Sequence, residues 1–148
     1  MVMLRKFSGS GECYYSSTPN LEVLEKLEED KFDCVWNLAK EGSAIVHIER
    51  KYVPLVLHAG IDDYKAPKDV GGFVGQLDKV VGMLRSGKKV FVHCNFGCGR
   101  TGLALASIAV MMGSDAETAL NKAYSACSGP ESKIQAEFVH KLAQSIRY

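Results

Sequence analysis

Five residues separate Cys94 from Arg100 in the run His93-Cys94-Asn95-Phe96-Gly97-Cys98-Gly99-Arg100-Thr101-Gly102. The apolar stretch Val90-Phe91-Val92 precedes this run and a long apolar segment from Leu103 follows it, so the pattern predicts a strand, a tight glycine loop and a helix start. Such a loop curls so that the backbone N–H groups of Asn95, Phe96, Gly97, Cys98 and Gly99, together with the Arg100 guanidinium, point at one spot. That spot suits a tetrahedral dianion, because donors at a helix N-terminus favour negative charge and arginine adds a bidentate pair of hydrogen bonds. The same field brings a thiol to a pKa of roughly 3.5 to 7.5. Nucleophile and anion site are then one device. The plainer alternative is an inert core cysteine, for which an anion nest closed by arginine has no use.

His-Cys-x-x-Gly-x-Gly-Arg-Thr-Gly resembles the signature loop of the cysteine-dependent protein tyrosine phosphatases in their dual-specificity branch. Length and layout are similar to the small single-domain members of archaeal and atypical type. The resemblance implies an α/β domain with a central, partly parallel sheet of four or five strands and helices on both faces. It also implies that the Thr101 hydroxyl bonds the cysteine sulfur, and that phosphate or another oxyanion occupies the loop. His93 is expected to hold the loop by hydrogen bonding, since a thiolate made by the loop needs no general base.

Hydrolysis of a phosphate ester by a cysteine also needs a proton for the leaving oxygen. Asp62 and Asp63 stand in a polar loop after an apolar run and are the carboxylates nominated for it. In the resembling family the acid stands four residues before a proline, which Asp63-Tyr64-Lys65-Ala66-Pro67 matches. Asp62 remains the alternative, and solvated turn residues are the bland reading of both. Many relatives carry a glutamine or asparagine that positions the hydrolytic water. Here Ser132 stands at the nearest position and Gln135 slightly later, which leaves Gln135 as the candidate for that job. Cys98 is either a small residue lining the loop or a partner that traps an oxidised Cys94, with Cys127 and Cys13 as alternative resolving thiols.

The elements that must position these groups follow from periodicity. Leu4 to Phe7 predicts a short strand, and Leu21, Leu24 and Leu27 share a helical face. Phe32 to Leu38 reads as a buried strand, and Tyr52 to Leu57 as a further strand whose Pro54 suggests that it lies at a sheet edge or begins near there. Phe73, Val74, Leu77, Val80, Val81 and Leu84 keep helical spacing up to Gly87. Leu103 to Met112 is apolar nearly all round, the mark of a buried helix. Ser114 to Glu117 fits a capping box, and a last helix carries Ile134, Phe138, Leu142 and Ile146 on one stripe.

At 148 residues, 47% hydrophobic and 24% charged, residues 1–148 are expected to form a single catalytic domain. A net charge of +1 gives no electrostatic case for a nucleic-acid or membrane partner. The five cysteines show no CxxC pair or zinc spacing, which predicts reduced thiols, a cytoplasmic protein and no metal or other cofactor. No apolar run reaches the roughly 18 residues of a membrane helix. In the superfamily this loop resembles, lipid and inositol phosphatases often carry lysines there, and Asn95, Phe96 and Cys98 supply none, so phosphorylated proteins are the expected partners and phosphotyrosine monoesters the expected substrate. Serine or threonine esters, an RNA 5'-triphosphate, a phosphoinositide, and a phosphoprotein-binding pseudophosphatase stay open as alternatives.

Overall fold

Along β3 (Cys34–Ala39) alternate residues face opposite layers, and both layers are apolar. Cys34, Trp36 and Leu38 enter one core while Val35 enters the other. A strand buried on both faces is the signature of a central position in a parallel sheet. The structure, a computed structural model, describes residues 4–95 and 98–146. β1 (Arg5–Lys6), β2 (Cys13–Ser16), β3, β4 (Leu55–Ile61) and β5 (Val90–His93) form a five-stranded sheet in the order β1-β2-β5-β3-β4. All pairings are parallel except β1 with β2. β4 is an edge strand, as Pro54 suggested.

One face is covered by α1 (Leu21–Glu29) and α2 (Val46–Glu49), whose Leu24, Leu27 and Val46 pack on Val35, Val56 and Phe91. The other carries α3 (Val70–Arg85), α4 (Gly99–Met111), α5 (Ala116–Cys127) and α6 (Lys133–Ser145). The expected α/β architecture is the one observed. Every residue of α4 from Gly99 to Val110 is buried, so the loop after β5 sits on a rigid support.

Some boundaries differ from the sequence reading. α4 begins at Gly99, because a helix buried all round shows no periodicity to mark its first turn. β2 has no counterpart in the sequence reading, because four residues are too short a run for alternation to stand out. α5 is capped by Asp115, whose carboxylate accepts from the Thr118 N–H, and not by Ser114. In α6 the buried stripe is Gln135, Val139, Leu142 and Ala143, with Ile134 and Ile146 exposed. A capping box in which Ser132 bonds Gln135 turns that helix so that a glutamine faces inward.

The start of α4 rests on the turn after α5 with no room to spare. A Cβ added at Gly102 would lie 2.3 Å from the Gly129 carbonyl carbon, and one at Gly129 would lie 1.8 Å from the Cys98 carbonyl oxygen. Gly102→Ala is therefore expected to cost about 1–3 kcal/mol in urea unfolding, the range typical of overpacking. An unchanged midpoint would show that the helix and the turn are not in contact.

Candidate active site

β5 ends at His93 and α4 begins at Gly99, so Cys94 stands where a parallel strand gives way to a helix N-terminus. Cys94 is buried, and its Sγ accepts a hydrogen bond from the Thr101 hydroxyl at 3.1 Å. The His93 ring is also buried: Nδ1 meets the Cys94 carbonyl oxygen at 2.9 Å and Nε2 meets the Glu49 carboxylate. Glu49 is wholly buried, and its other oxygen accepts from Asn37 Nδ2 at 3.0 Å. The ring is thus held through both of its nitrogens, one by the loop backbone and one by Glu49. On the far side, Thr18 Oγ1 lies 3.1 Å from the Cys94 carbonyl and 2.9 Å from Asn95 Oδ1. Burial pushes the thiols of Cys13 and Cys34 up to about 12, so these two are inert. Phe96 and Gly97, expected to line the anion nest, lie outside the described residues.

Arg100 is held from two sides. Nη1 spends both hydrogens, one on Glu41 Oε1 at 2.6 Å and one on the Ile61 carbonyl at 2.8 Å. Nη2 spends one on Glu41 Oε2 at 3.0 Å. Nε is buried and meets no acceptor among the described residues. Glu41 thus takes the end of the guanidinium, and the edge formed by Nε–H and the second Nη2–H is left over. Hydrogen bonding to Arg100 holds the Glu41 carboxyl down to about 2, against an ordinary 4.5. Glu41 lies in the 3-10 turn Lys40–Ile45, at the C-terminal end of β3. Reading that end of the sheet by the rule that nominated Asp62 and Asp63 would have found it.

The two aspartates part company. Asp62 pairs with Lys40 at 3.5 Å and Lys68 at 3.3 Å, and the bond to Lys68 holds its carboxyl below the usual range. Asp63 Oδ1 instead stands 3.6 Å from Arg100 Nη2 and accepts from the Tyr64 N–H at 3.1 Å. Gln135 is wholly buried. Its Oε1 accepts from the Glu131 and Ser132 N–H groups, and its Nε2 donates to the Lys65 carbonyl at 3.1 Å. It does not present its amide to solvent, because the α6 capping box engages it. Glu131, unnoticed in the sequence, accepts the Gly99 N–H at 2.9 Å.

The cysteines correct one expectation. Cys98 is joined to Cys127 by a disulfide spanning 29 residues, so these two are not reduced thiols and Cys98 is not the partner of Cys94. The α5 terminus and the loop meet at the Gly129 contact, which brings the two sulfurs together. Cys13, Cys34 and Cys94 take part in no disulfide. Among the described residues no cluster of three or more His, Cys, Asp or Glu could hold a metal ion, and no helix is long and apolar enough to cross a membrane.

The family model described as "Tc-R-P: Polymorphic toxin system, DSP-PTPase phosphatase" matches residues 9–114. Among solved structures, the active form of Tk-PTP superposes with a TM-score of 0.82, at 26% identity over 97% of each chain. PTPMT1 in complex with PI(5)P superposes at 0.77, with 14% identity over 97% of this chain and 96% of the other. TpbA from P. aeruginosa in complex with pTyr superposes at 0.65, with 22% identity over 90% and 85%. The last two show the fold alone. No curated protein matches the chain.

Two expectations follow from the geometry. Removing the bridge by Cys98→Ala with Cys127→Ala is expected to lower unfolding free energy by about 3–4 kcal/mol, the chain-entropy value for a loop of that span; equal denaturant midpoints with and without it would contradict this. A carboxylate held low in the folded protein adds stability above its ordinary pKa of 4.5, and that stability is lost as pH falls through about 2. Glu41→Gln is accordingly expected to destabilise the protein at pH 7 and to converge on the wild type near pH 2, as read by thermal melts across pH.

Proposed function

This chain belongs to the DSP-PTPase phosphatase family of polymorphic toxin systems, within the small dual-specificity cysteine phosphatases, and we propose that it hydrolyses phosphotyrosine monoesters in proteins through a phosphocysteine intermediate. Phosphoserine and phosphothreonine are further substrates in this reading, and residues 1–148 act as one catalytic domain without metal or other cofactor. The Cys94 thiolate attacks phosphorus as the bond to the ester oxygen breaks, and Asp63 gives that oxygen its proton. Water then attacks the phosphocysteine and yields a proton to the Asp63 carboxylate. The S–P bond breaks, with the departing sulfur stabilised by the Thr101 hydroxyl. Arg100 and the loop N–H groups from Asn95 to Cys98 hold the transferring oxygens, the Gly99 N–H being taken by Glu131.

The free edge of Arg100 carries this reading. Its Nε has no acceptor among the described residues while Nη1 is fully committed to Glu41 and Ile61. A phosphoryl group bound side-on would satisfy Nε and Nη2 together without displacing Glu41. Asp63 supports the acid role better than Asp62, being the aspartate beside that edge. Asn95, Phe96 and Cys98 bring no cation to the loop, which favours a monophosphate over a phosphoinositide or an RNA triphosphate.

A cytoplasmic place of work is part of the proposal, supported by Cys13 and Cys34, which are in no disulfide. Passage through an oxidising compartment, as a delivered phosphatase, is the second reading, favoured by the family description and the Cys98–Cys127 bridge.

Hydrolysis of an aryl phosphate by substituted proteins tests the mechanism. Cys94→Ser is expected to abolish it and Asp63→Ala to lower kcat/KM by roughly 10²–10⁴, the share of a general acid. Asp62→Ala, which breaks exposed lysine pairs, should change it by less than about threefold. Activity that survives Cys94→Ser, or that vanishes with a metal chelator, would contradict the cysteine mechanism.

A further inference from the structure

The segment between Asp63 and Pro67 is not free to choose its shape. Tyr64 takes a left-handed φ of 61°, an unfavourable conformation for a bulky residue that persists only where its surroundings impose it. Those surroundings are the first turn of α6. The Ser132 hydroxyl donates to the Tyr64 carbonyl at 2.7 Å, and Gln135 Nε2 donates to the Lys65 carbonyl at 3.1 Å. Each side chain also closes the helix end behind it: Ser132 Oγ accepts the Gln135 N–H, and Gln135 Oε1 accepts the N–H groups of Glu131 and Ser132. The capping acceptors face the helix while the leftover donors reach out to the acid loop.

We propose that Ser132 and Gln135 form a latch that holds Asp63 over the Arg100 edge, making them positioning residues for proton transfer to the leaving group. The inference rests on Asp63 being the acid. The link is mechanical. Asp63 Oδ1 accepts the Tyr64 N–H, so the left-handed turn at Tyr64 aims the carboxylate that stands 3.6 Å from Arg100 Nη2. Without the donor on the Tyr64 carbonyl, the peptide relaxes toward ordinary φ and Asp63 loses its direction. Gln135 has the second hold and is wholly buried, so the loop is fixed before substrate arrives. Its buried amide is spent on this latch and not on solvent.

A general acid matters most when the leaving group is poor, which separates positioning from mere stability. The experiment measures kcat/KM for phenyl phosphate and for an aryl phosphate with an electron-withdrawing nitro group, in wild type, Ser132→Asp, Ser132→Ala, Ser132→Thr and Asp63→Asn. Aspartate caps a helix as well as serine does but has no hydrogen to donate, so Ser132→Asp keeps α6 and breaks the latch. Phenyl phosphate hydrolysis is expected to fall about tenfold in Ser132→Asp and Ser132→Ala, part of the 10²–10⁴ that an acid supplies. The nitro-substituted ester should change less than about twofold, Ser132→Thr should behave as wild type, and Asp63→Asn should show the same selectivity in larger measure. Equal losses on both esters, or no loss on either, in the two latch variants while Asp63→Asn stays selective would overturn the latch and leave Asp63 as the acid. If Asp63→Asn shows no leaving-group selectivity, the assignment of the acid falls and the latch with it.

Discussion

A guanidinium buried beside a thiol is the constraint on which this structure turns. An unpaired cation in that position would cost several kcal/mol, yet a cation whose hydrogens are all spent could not bind an anion. Arg100 resolves this by division. Glu41 and the Ile61 carbonyl take one end of the group, and the Nε edge is left without an acceptor among the described residues. Glu41 is half exposed, so the compensation comes from geometry more than from a low dielectric: two parallel bonds keep the guanidinium in one plane.

The division ties together loops that the sheet has already gathered. β3, β4 and β5 run parallel, and their C-terminal ends supply Glu41, the loop bearing Asp62 and Asp63, and Cys94 respectively. Because the Ile61 carbonyl is the last of β4, the arginine is anchored to the strand that delivers Asp63 two residues later. Glu49 does the same for the other side of the loop. It sits on the short helix that follows the Glu41 turn and reaches His93 at the end of β5, so the stretch from Lys40 to Glu49 grips the anion loop at both its arginine and its histidine. α4 gives this assembly a floor that does not yield, since its first turns are buried against the Gly129 turn and the sheet.

Local patterns in the sequence revealed most of what is built from neighbours in the chain, the short β2 and α2 excepted. The strand, glycine loop and helix around Cys94 were legible because apolar runs and glycines mark them. The start of β4 was legible from Pro54, since a residue without an N–H stands just before the strand and outside its ladder. Asp63 was singled out over Asp62 by the resembling family's pattern, and it is the aspartate that stands 3.6 Å from Arg100 Nη2. The partners of these residues were hidden because they lie far off in sequence: Glu41 is 59 residues from Arg100 and Glu49 is 44 from His93. No periodicity encodes such a pairing. α6 misled for a related reason. Its apolar residues form a stripe at the right spacing, but the buried face is set by Ser132 and Gln135 bonding a loop some 70 residues away. The Cys98–Cys127 bridge likewise depends on where α5 ends in space, which an odd number of cysteines does not disclose.

The division of Arg100 is most directly visible with an oxyanion in place. A crystal structure of the protein grown with orthovanadate is predicted to show the anion bonded by Nε and Nη2 and facing Cys94 Sγ, with Glu41 still on Nη1. An anion on the Nη1–Nη2 end of the guanidinium, with Glu41 displaced, would contradict the account.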